Sequence, residues 1–418
     1  MNAAGLFAIL LTLAAVFGFV NHLTLRLPNT IAVLLIALTV SLVLLAIDPL
    51  VPGYSLRGFS QRVLGTVDLP ATLLNGVLSL LLFAGSLHVD LGGLWKTRLN
   101  VLTLATLGTL LAVTMLGTAM WFVFPLVDAP VPLVWCIVLG AILAPTDPVS
   151  VVGMLKRTGL PTTLQALFAG ESLFNDGVGV VVFGAALGFA TGDGQAAGGW
   201  EVAARFLFEA AGGAALGLLT GFAAVQMMRR VDDYNLELTI SLALATGTFS
   251  LANGVHMSGP IAVVMAGLTM GGRPARDAMS GKTQEVLTSF WSLVDEVLNT
   301  LLFLLIGFEV MTVPFQPGNF AAALCAVPLA VAVRFLSVLV AAIPMHIRGT
   351  QRLSTLVLLT WGGLRGGISV ALALSLPHGA PRPALLAVCY VIVVFTIVVQ
   401  GLTMERLVRR FYKIGVQG

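Results

Sequence analysis

Long apolar stretches divided by short polar breaks run almost the whole length of this chain. Segments long enough to cross a bilayer as helix fall near 3–22, 30–47, 70–88, 101–124, 131–154 and 164–190. A second series follows near 203–227, 236–253, 257–271, 289–310, 320–343, 354–375 and 384–404. The pattern predicts an all-α polytopic membrane protein of about thirteen transmembrane helices.

Composition agrees with the pattern. Hydrophobic residues make up 58% of the chain, charged residues 10%, and the mean hydropathy is +0.99, outside the range of water-soluble domains. Cys136, Cys325 and Cys389 all fall in apolar runs, and an odd, buried set argues against a disulfide framework. No Lys or Arg precedes Arg26, so the chain lacks the charged start of a cleavable signal peptide and its first helix is expected to be retained.

Basic residues orient the spans, because Lys and Arg gather on the cytoplasmic side. With the N-terminus outside and the C-terminus inside, cytoplasmic segments hold Arg26, Lys96, Arg98, Lys156, Arg157, Arg229, Arg230, Arg273, Arg276, Lys282, Arg348, Arg352, Arg406, Arg409, Arg410 and Lys413, which is 16 of the 22 basic residues. External loops hold Arg57, Arg62 and Arg382, while Arg205, Arg334 and Arg365 lie at or within helices. A wrong span count would scramble that asymmetry. The net charge of +3 carries no further information.

Two spans are interrupted. The fifth contains Ala144-Pro145-Thr146-Asp147-Pro148, where two prolines remove backbone donors around an acid. The twelfth contains Trp361-Gly362-Gly363-Leu364-Arg365-Gly366-Gly367, four glycines around an arginine. Pro and Gly are common in membrane helices, so a simple kink is the lesser reading of either alone. The two lie seven spans apart, an odd offset, and so cross in opposite directions. That matches two inverted six-helix repeats, spans 1–6 and 8–13, joined by span 7, with a discontinuous helix in each. Paired broken helices in inverted halves point to a secondary transporter's binding site. Asp147 suits the positive N-terminal end of one half-helix, and Arg365 the negative C-terminal end of another.

Span 6 carries Glu171-Ser172-Leu173-Phe174-Asn175-Asp176. A carboxylate at the centre of a membrane helix costs roughly 2.5–3.5 kcal/mol, so two within six residues must recover that cost through a partner or a use. On a helix Ser172 and Asp176 share one stripe, and Glu171 and Asn175 the next. Arg334 sits near the middle of span 11, and a Glu171–Arg334 pair answers both buried charges, with Arg365 as the competing partner. Asp176 is then a carboxylate without a fixed counter-cation and must bind a proton or a metal cation when desolvated. With the Ser172 hydroxyl, an Asn175 amide oxygen and unwound carbonyls it makes a hard-oxygen shell suited to Na+ or Li+. Proton and cation compete for one charge, which gives one-for-one exchange. The bland reading is a permanently protonated packing residue.

These residues also carry a resemblance. Ala144-Pro145-Thr146-Asp147-Pro148-Val149, Gly170-Glu171-Ser172-Leu173-Phe174-Asn175-Asp176 and Gly362-Gly363-Leu364-Arg365-Gly366, with the weaker His256-Met257-Ser258-Gly259-Pro260-Ile261-Ala262, resemble the sodium/hydrogen exchangers, the first family of monovalent cation:proton antiporters, in its bacterial form. The resemblance implies a homodimer in the cell membrane that works by alternating access and serves pH homeostasis. It implies a mobile core of spans 4–6 and 11–13, about 101–190 and 320–404, beside dimerisation helices about 3–88 and 203–310. It implies that Asp176 is the shared cation and proton site, that Asn175 orients it, that Ser172 and the Thr146 carbonyl are cation ligands, and that Glu171 pairs with an arginine. Asp147 and Glu171 complete the candidate cation site. The Asn-Asp pair resembles electroneutral members, whereas electrogenic relatives have two aspartates.

The chain departs from the family pattern at Ala84 and Asn253, where many relatives carry Glu. His88 and His256 lie near span ends, where a solvated role competes with pH sensing. Asp295 and Glu296 are expected to begin the tenth span, capping it or lining a cytoplasmic funnel, and Glu309 to be interfacial. No phosphate-cradling loop, metal-spaced His/Cys cluster or nucleophile elbow is present. The chain is therefore expected to be a transporter rather than an enzyme, without cofactor, nucleic-acid partner or soluble regulatory domain. Na+/H+ antiport, with Li+ also accepted, is the leading reading. A K+/H+ antiporter of the same fold, an ion channel and an intramembrane enzyme using Asp147 and Asp176 as acid and base are the alternatives.

Overall fold

The computed structural model of the chain describes residues 3–48, 73–147, 160–192, 199–311, 316–345, 351–379 and 381–411. Pro148 and Val149 of the first interrupted motif, and Arg57, Arg62, Lys156, Arg157, Arg348 and Lys413 of the charge pattern, lie outside the described residues.

Every described element is a helix. They are α1 (Ala3–Leu23), α2 (Asn29–Ile47), α3 (Leu78–Leu87, entered through a π turn at Leu73–Val77), α4 (Leu91–Leu126), α5 (Leu133–Ile142), α6 (Thr162–Thr191) and α7 (Gly199–Met228). After these come α8 (Tyr234–Gly254), α9 (Gly259–Gly271), the single turn α10 (Arg273–Arg276), α11 (Gly281–Glu309), α12 (Pro317–Ala341), α13 (Gln351–Trp361), α14 (Gly367–Leu374) and α15 (Arg382–Phe411). Each apolar stretch of the sequence contains helix, and eight helices among the described residues are long and apolar enough to cross a membrane. The shorter apolar helices are α3, α5 and α9. Three helices start earlier than hydropathy indicates. The Asp90 carboxylate accepts from the Gly92 and Gly93 amides, starting α4 about ten residues before its apolar run. Asp233 caps α8 in the same way. Ser280 caps α11, so Asp295 and Glu296 sit in mid-helix rather than at its start, and their expected capping role is overturned.

Packing obeys the seven-span offset. α2 packs on α11, and its counterpart α9 packs on α3; α4 packs on α5, and α12 on α13. α4 and α12 touch each other. One apolar core joins α4, α5 and α6 to α12, α14 and α15 through Phe124, Leu139, Ile142, Phe183, Ala323, Leu372 and Leu385, and Phe303 of α11 packs into it. Another, around Phe83 and Trp291, whose ring centroids are 4.7 Å apart, joins α3, α8, α9 and α11. Large apolar side chains also cover the outer faces, as expected where the solvent is lipid: Leu126 is 82% exposed and Leu219 68%. Cys136 and Cys389 are buried as expected, but Cys325 is exposed on the outer face of α12.

The two broken spans break where the sequence indicates. α5 stops at Ile142 because Pro145 has no N–H to continue the ladder and restricts Ala144 before it. α13 stops at Trp361 and α14 restarts at Gly367, leaving residues 362–366 non-helical. The two unwound stretches touch, with the Asp147 amide donating to the Leu364 carbonyl at 2.7 Å. Glycine is required here by space. A Cβ on Gly366 would lie 2.8 Å from Asp147 Cβ, and one on Gly363 would lie 2.7 Å from Arg334 Nε.

Candidate functional site

The crossing of unwound backbone is the floor on which α6 sets its polar stripe. Glu171, Ser172, Asn175 and Asp176 are all buried in mid-helix, facing the α5 break. Asp176 Oδ1 accepts from the Thr146 amide at 3.1 Å, an N–H freed because Thr146 lies beyond the end of α5. The Thr146 hydroxyl donates to Ser172 Oγ at 2.9 Å, and the Ser172 hydroxyl donates to the Thr146 carbonyl. Asn175 Nδ2 bridges Thr146 Oγ1 and Glu171 Oε1, each at 3.1 Å. Its Oδ1 is buried without a hydrogen-bond partner among the described residues, a costly state for an amide oxygen unless an ion or water meets it.

Arg334 forks onto Glu171 through Nη1 to Oε1 and Nη2 to Oε2, both at 2.9 Å, and Nη2 also reaches the Leu359 carbonyl at 3.2 Å. Of the two candidate partners, the structure pairs Glu171 with Arg334. Planar guanidinium matches planar carboxylate, the arrangement that can offset burial of both charges.

Arg365 has another task. Its Nη1 donates to the Ala144 carbonyl at 2.6 Å and to that of Pro145 at 3.3 Å, while its backbone amide donates to Thr396 Oγ1 at 3.1 Å. Those carbonyls follow the C-terminal end of α5 and have no helical donor. Asp147 takes the converse place, packed against Gly366 at the start of α14, where helix amides favour an anion. Arg365 thus answers the carbonyl end of α5, and Asp147 stands beside the start of α14.

A cavity of about 40 Å³ opens onto this crossing. Thr146, Asp147, Asp176, Gly366 and Asn299 supply its polar lining, and Leu81, Leu173 and Leu302 its apolar walls. At a few water-sized positions it fits a small ion with part of its hydration shell. Within the crossing, three acids (Asp147, Glu171 and Asp176) face two arginines (Arg334 and Arg365). Fully ionised, the group carries one uncompensated negative charge, and Asp176 enters no ion pair among the described residues.

Sequence reasoning missed Asn299, although a polar amide at membrane depth, one turn beyond an acid, is a readable signal. Its Nδ2 donates to the Asp295 carboxylate at 3.1 Å and to its carbonyl at 3.0 Å. This puts Asp295 on the α11 face that leads to the cavity. Thr396 gave no signal, since its hydroxyl matters only because the unwound Arg365 amide arrives beside it. Ala84, in place of the family's Glu, is fully buried next to the cavity-lining Gly85, and Asn253 is exposed at the end of α8. Glu309, expected at the interface, is buried instead. His88 Nδ1 lies 2.6 Å from the Ala84 carbonyl and Nε2 lies 3.0 Å from Ser292 Oγ, while His256 is exposed with φ 57°.

Comparison with known proteins places the architecture. The transmembrane sodium/hydrogen exchanger family model matches residues 8–410. The chain is 40% identical over 412 residues to the Na+/H+ antiporter NhaP of Pseudomonas aeruginosa, covering 97% of this chain and 96% of that one. It is 33% identical over 390 residues to the Na+/H+ antiporter NhaH of Halobacillus dabanensis, covering 92% of each. The solved structure of the sodium proton antiporter MjNhaP1 from Methanocaldococcus jannaschii superposes over 98% of both chains with a TM-score of 0.75 at 18% identity, a likeness of fold.

Proposed function

Because this chain belongs to the sodium/hydrogen exchanger family, we propose that it is a multi-pass Na+/H+ antiporter that moves one Na+, or Li+, against one proton, with Asp176 as the shared site. The charge balance of the crossing carries this reading. One negative charge remains among Asp147, Glu171, Asp176, Arg334 and Arg365, so one proton or one monovalent cation restores neutrality. Either loaded form is neutral and can relocate across the membrane, whereas the empty, charged form pays the full desolvation cost. Coupling follows from that difference.

In this mechanism Asp176 exchanges proton for cation, and the Thr146 amide holds its carboxylate in place. The Asn175 Oδ1, the Ser172 hydroxyl, the Thr146 carbonyl and Asp147 offer further oxygen. For Ser172 and Thr146 to act as ligands, their mutual hydrogen bonds must open towards the ion. The Glu171–Arg334 pair holds the Asn175 amide from behind, and Arg365 keeps the α5 end intact. The moving unit is α4–α6 with α12–α15, sliding against α1–α3 and α7–α11, the latter forming a homodimer interface. The protein sits in the cell membrane with its N-terminus outside and uses ion gradients as its only energy source.

The test is relief of an imposed pH gradient in proteoliposomes by Na+, Li+ or K+, with the membrane voltage clamped at several values and Asp176→Asn in parallel. Voltage-independent exchange that vanishes in the variant is expected. Exchange that survives in Asp176→Asn would move the site to Asp147, and cation flux without proton coupling would make the protein a channel.

A further inference from the structure

A second cavity, of about 680 Å³, lies away from the crossing, between α4 on one side and α7 and α9 on the other, with α6 as its floor. It falls within the range of about 300–1,000 Å³ in which small ligands are bound. Its walls are apolar, formed by Leu102, Phe174, Leu218 and Leu268 among others. Its charged residues are two arginines, Arg98 on α4 and Arg273 at the first position of α10. Arg98 is held over the ring of Trp95 at 4.5 Å from its centroid, a contact that fixes the guanidinium while leaving its N–H groups to a ligand. Gly272, next to Arg273, lies against Leu91 at the start of α4, and Arg98 stands about two turns further along that helix. Both are exposed.

An apolar cleft whose lining carries two exposed cations is complementary to an amphiphile with an anionic head. A free phosphate would leave the apolar walls unused, and a neutral lipid would leave both cations unanswered. We propose that this cleft binds one anionic phospholipid, with an acyl chain along Leu102, Phe174 and Leu268 and the phosphate between Arg98 and Arg273. Phe174 makes the site consequential, since it is part of the same α6 segment as Asn175 and Asp176. The cleft also separates the helices proposed to slide past one another. Lipid binding stands independently of that transport reading and is tested apart from it.

The experiment is native mass spectrometry of the full chain in detergent, titrated with phosphatidylglycerol, phosphatidylcholine or inorganic phosphate. Parent protein and the Arg98→Gln/Arg273→Gln variant are compared. The expected result is one retained phosphatidylglycerol, not matched by phosphatidylcholine or phosphate, with affinity weakened about 30-fold in the variant by loss of two basic contacts to an anionic headgroup. Should the double variant fail to fold, Trp95→Ala, which keeps both charges but frees Arg98, is expected to weaken retention in the same direction. Equal retention by parent and variants, equal binding of phosphatidylcholine, or equal protection by phosphate alone would each overturn the proposal. So would a cleft protected only on dimerisation and without lipid, which would make its occupant a second copy of the chain.

Discussion

Removing one member of the Glu171–Arg334 pair should cost far more than removing both. The fork consists of two 2.9 Å hydrogen bonds between side chains 3% and 6% exposed. Arg334→Ala leaves the Glu171 carboxylate buried with the Asn175 amide as its remaining donor, and Glu171→Gln leaves the Arg334 cation facing a neutral amide and the Leu359 carbonyl. Breaking a buried pair from one side costs about 3–5 kcal/mol, whereas replacing both partners by neutral groups of similar volume is often close to neutral. Glu171→Gln/Arg334→Met should therefore be no less stable than either single variant, with a coupling free energy of at least about 2 kcal/mol. The assay is a double-mutant cycle by reversible unfolding in mixed detergent micelles, with Arg334→Lys included because an ammonium cannot fork onto a carboxylate. Costs that add within about 0.5 kcal/mol would refute the argument, because contacting charges that share one hydrogen-bond network must couple.

Further outcomes follow from the same geometry. Gly366→Ala should lower exchange at least about tenfold while the protein still reaches the membrane, because its methyl would sit 2.8 Å from Asp147 Cβ and push the unwound strands apart; initial rates in vesicles at matched expression check this. Asn175→Asp adds a fourth carboxylate to the crossing and raises its uncompensated charge from one to two, so any transport that remains should become voltage-dependent, read as a change of rate with imposed potential. If proton and cation compete for Asp176, lowering the pH should raise the apparent KM for Na+, approaching about tenfold per pH unit by mass action once the proton dominates, with little change in the maximal rate at saturating Na+. Arg365→Ala should cost about 1–3 kcal/mol or more by leaving the Ala144 and Pro145 carbonyls without their donor; lowered thermal stability in detergent is the readout.

Much of the architecture was readable along the chain because the properties that determine it are local. A run such as 30–47 is apolar enough to need a bilayer whatever its neighbours do, and α2 occupies Asn29–Ile47. Pro145 stops α5, and Gly362, Gly363, Gly366 and Gly367 allow α13 to stop and α14 to restart. The Ser172–Asp176 and Glu171–Asn175 stripes required only helical spacing. Helix starts were less legible, because the caps at Asp90 and Ser280 lie in polar sequence that hydropathy passes over, and that is why Asp295 was misplaced to a helix beginning.

Partner choice was decided by the tertiary structure. Charge alone favoured Arg334 for Glu171 but left Arg365 as a competitor, 163 and 194 residues away in sequence. Packing of α12 against α4, together with the room that glycine leaves at position 363, brings the Arg334 fork onto Glu171 and sends Arg365 to the end of α5. The Thr146 amide on Asp176, the Thr396 hydroxyl under Arg365 and Asn299 in the cavity wall depend in the same way on where backbones meet. Hydropathy and backbone breakers act within a few residues, so they are legible in one dimension. A hydrogen bond is made or lost within an ångström, and that distance exists only after distant helices have packed.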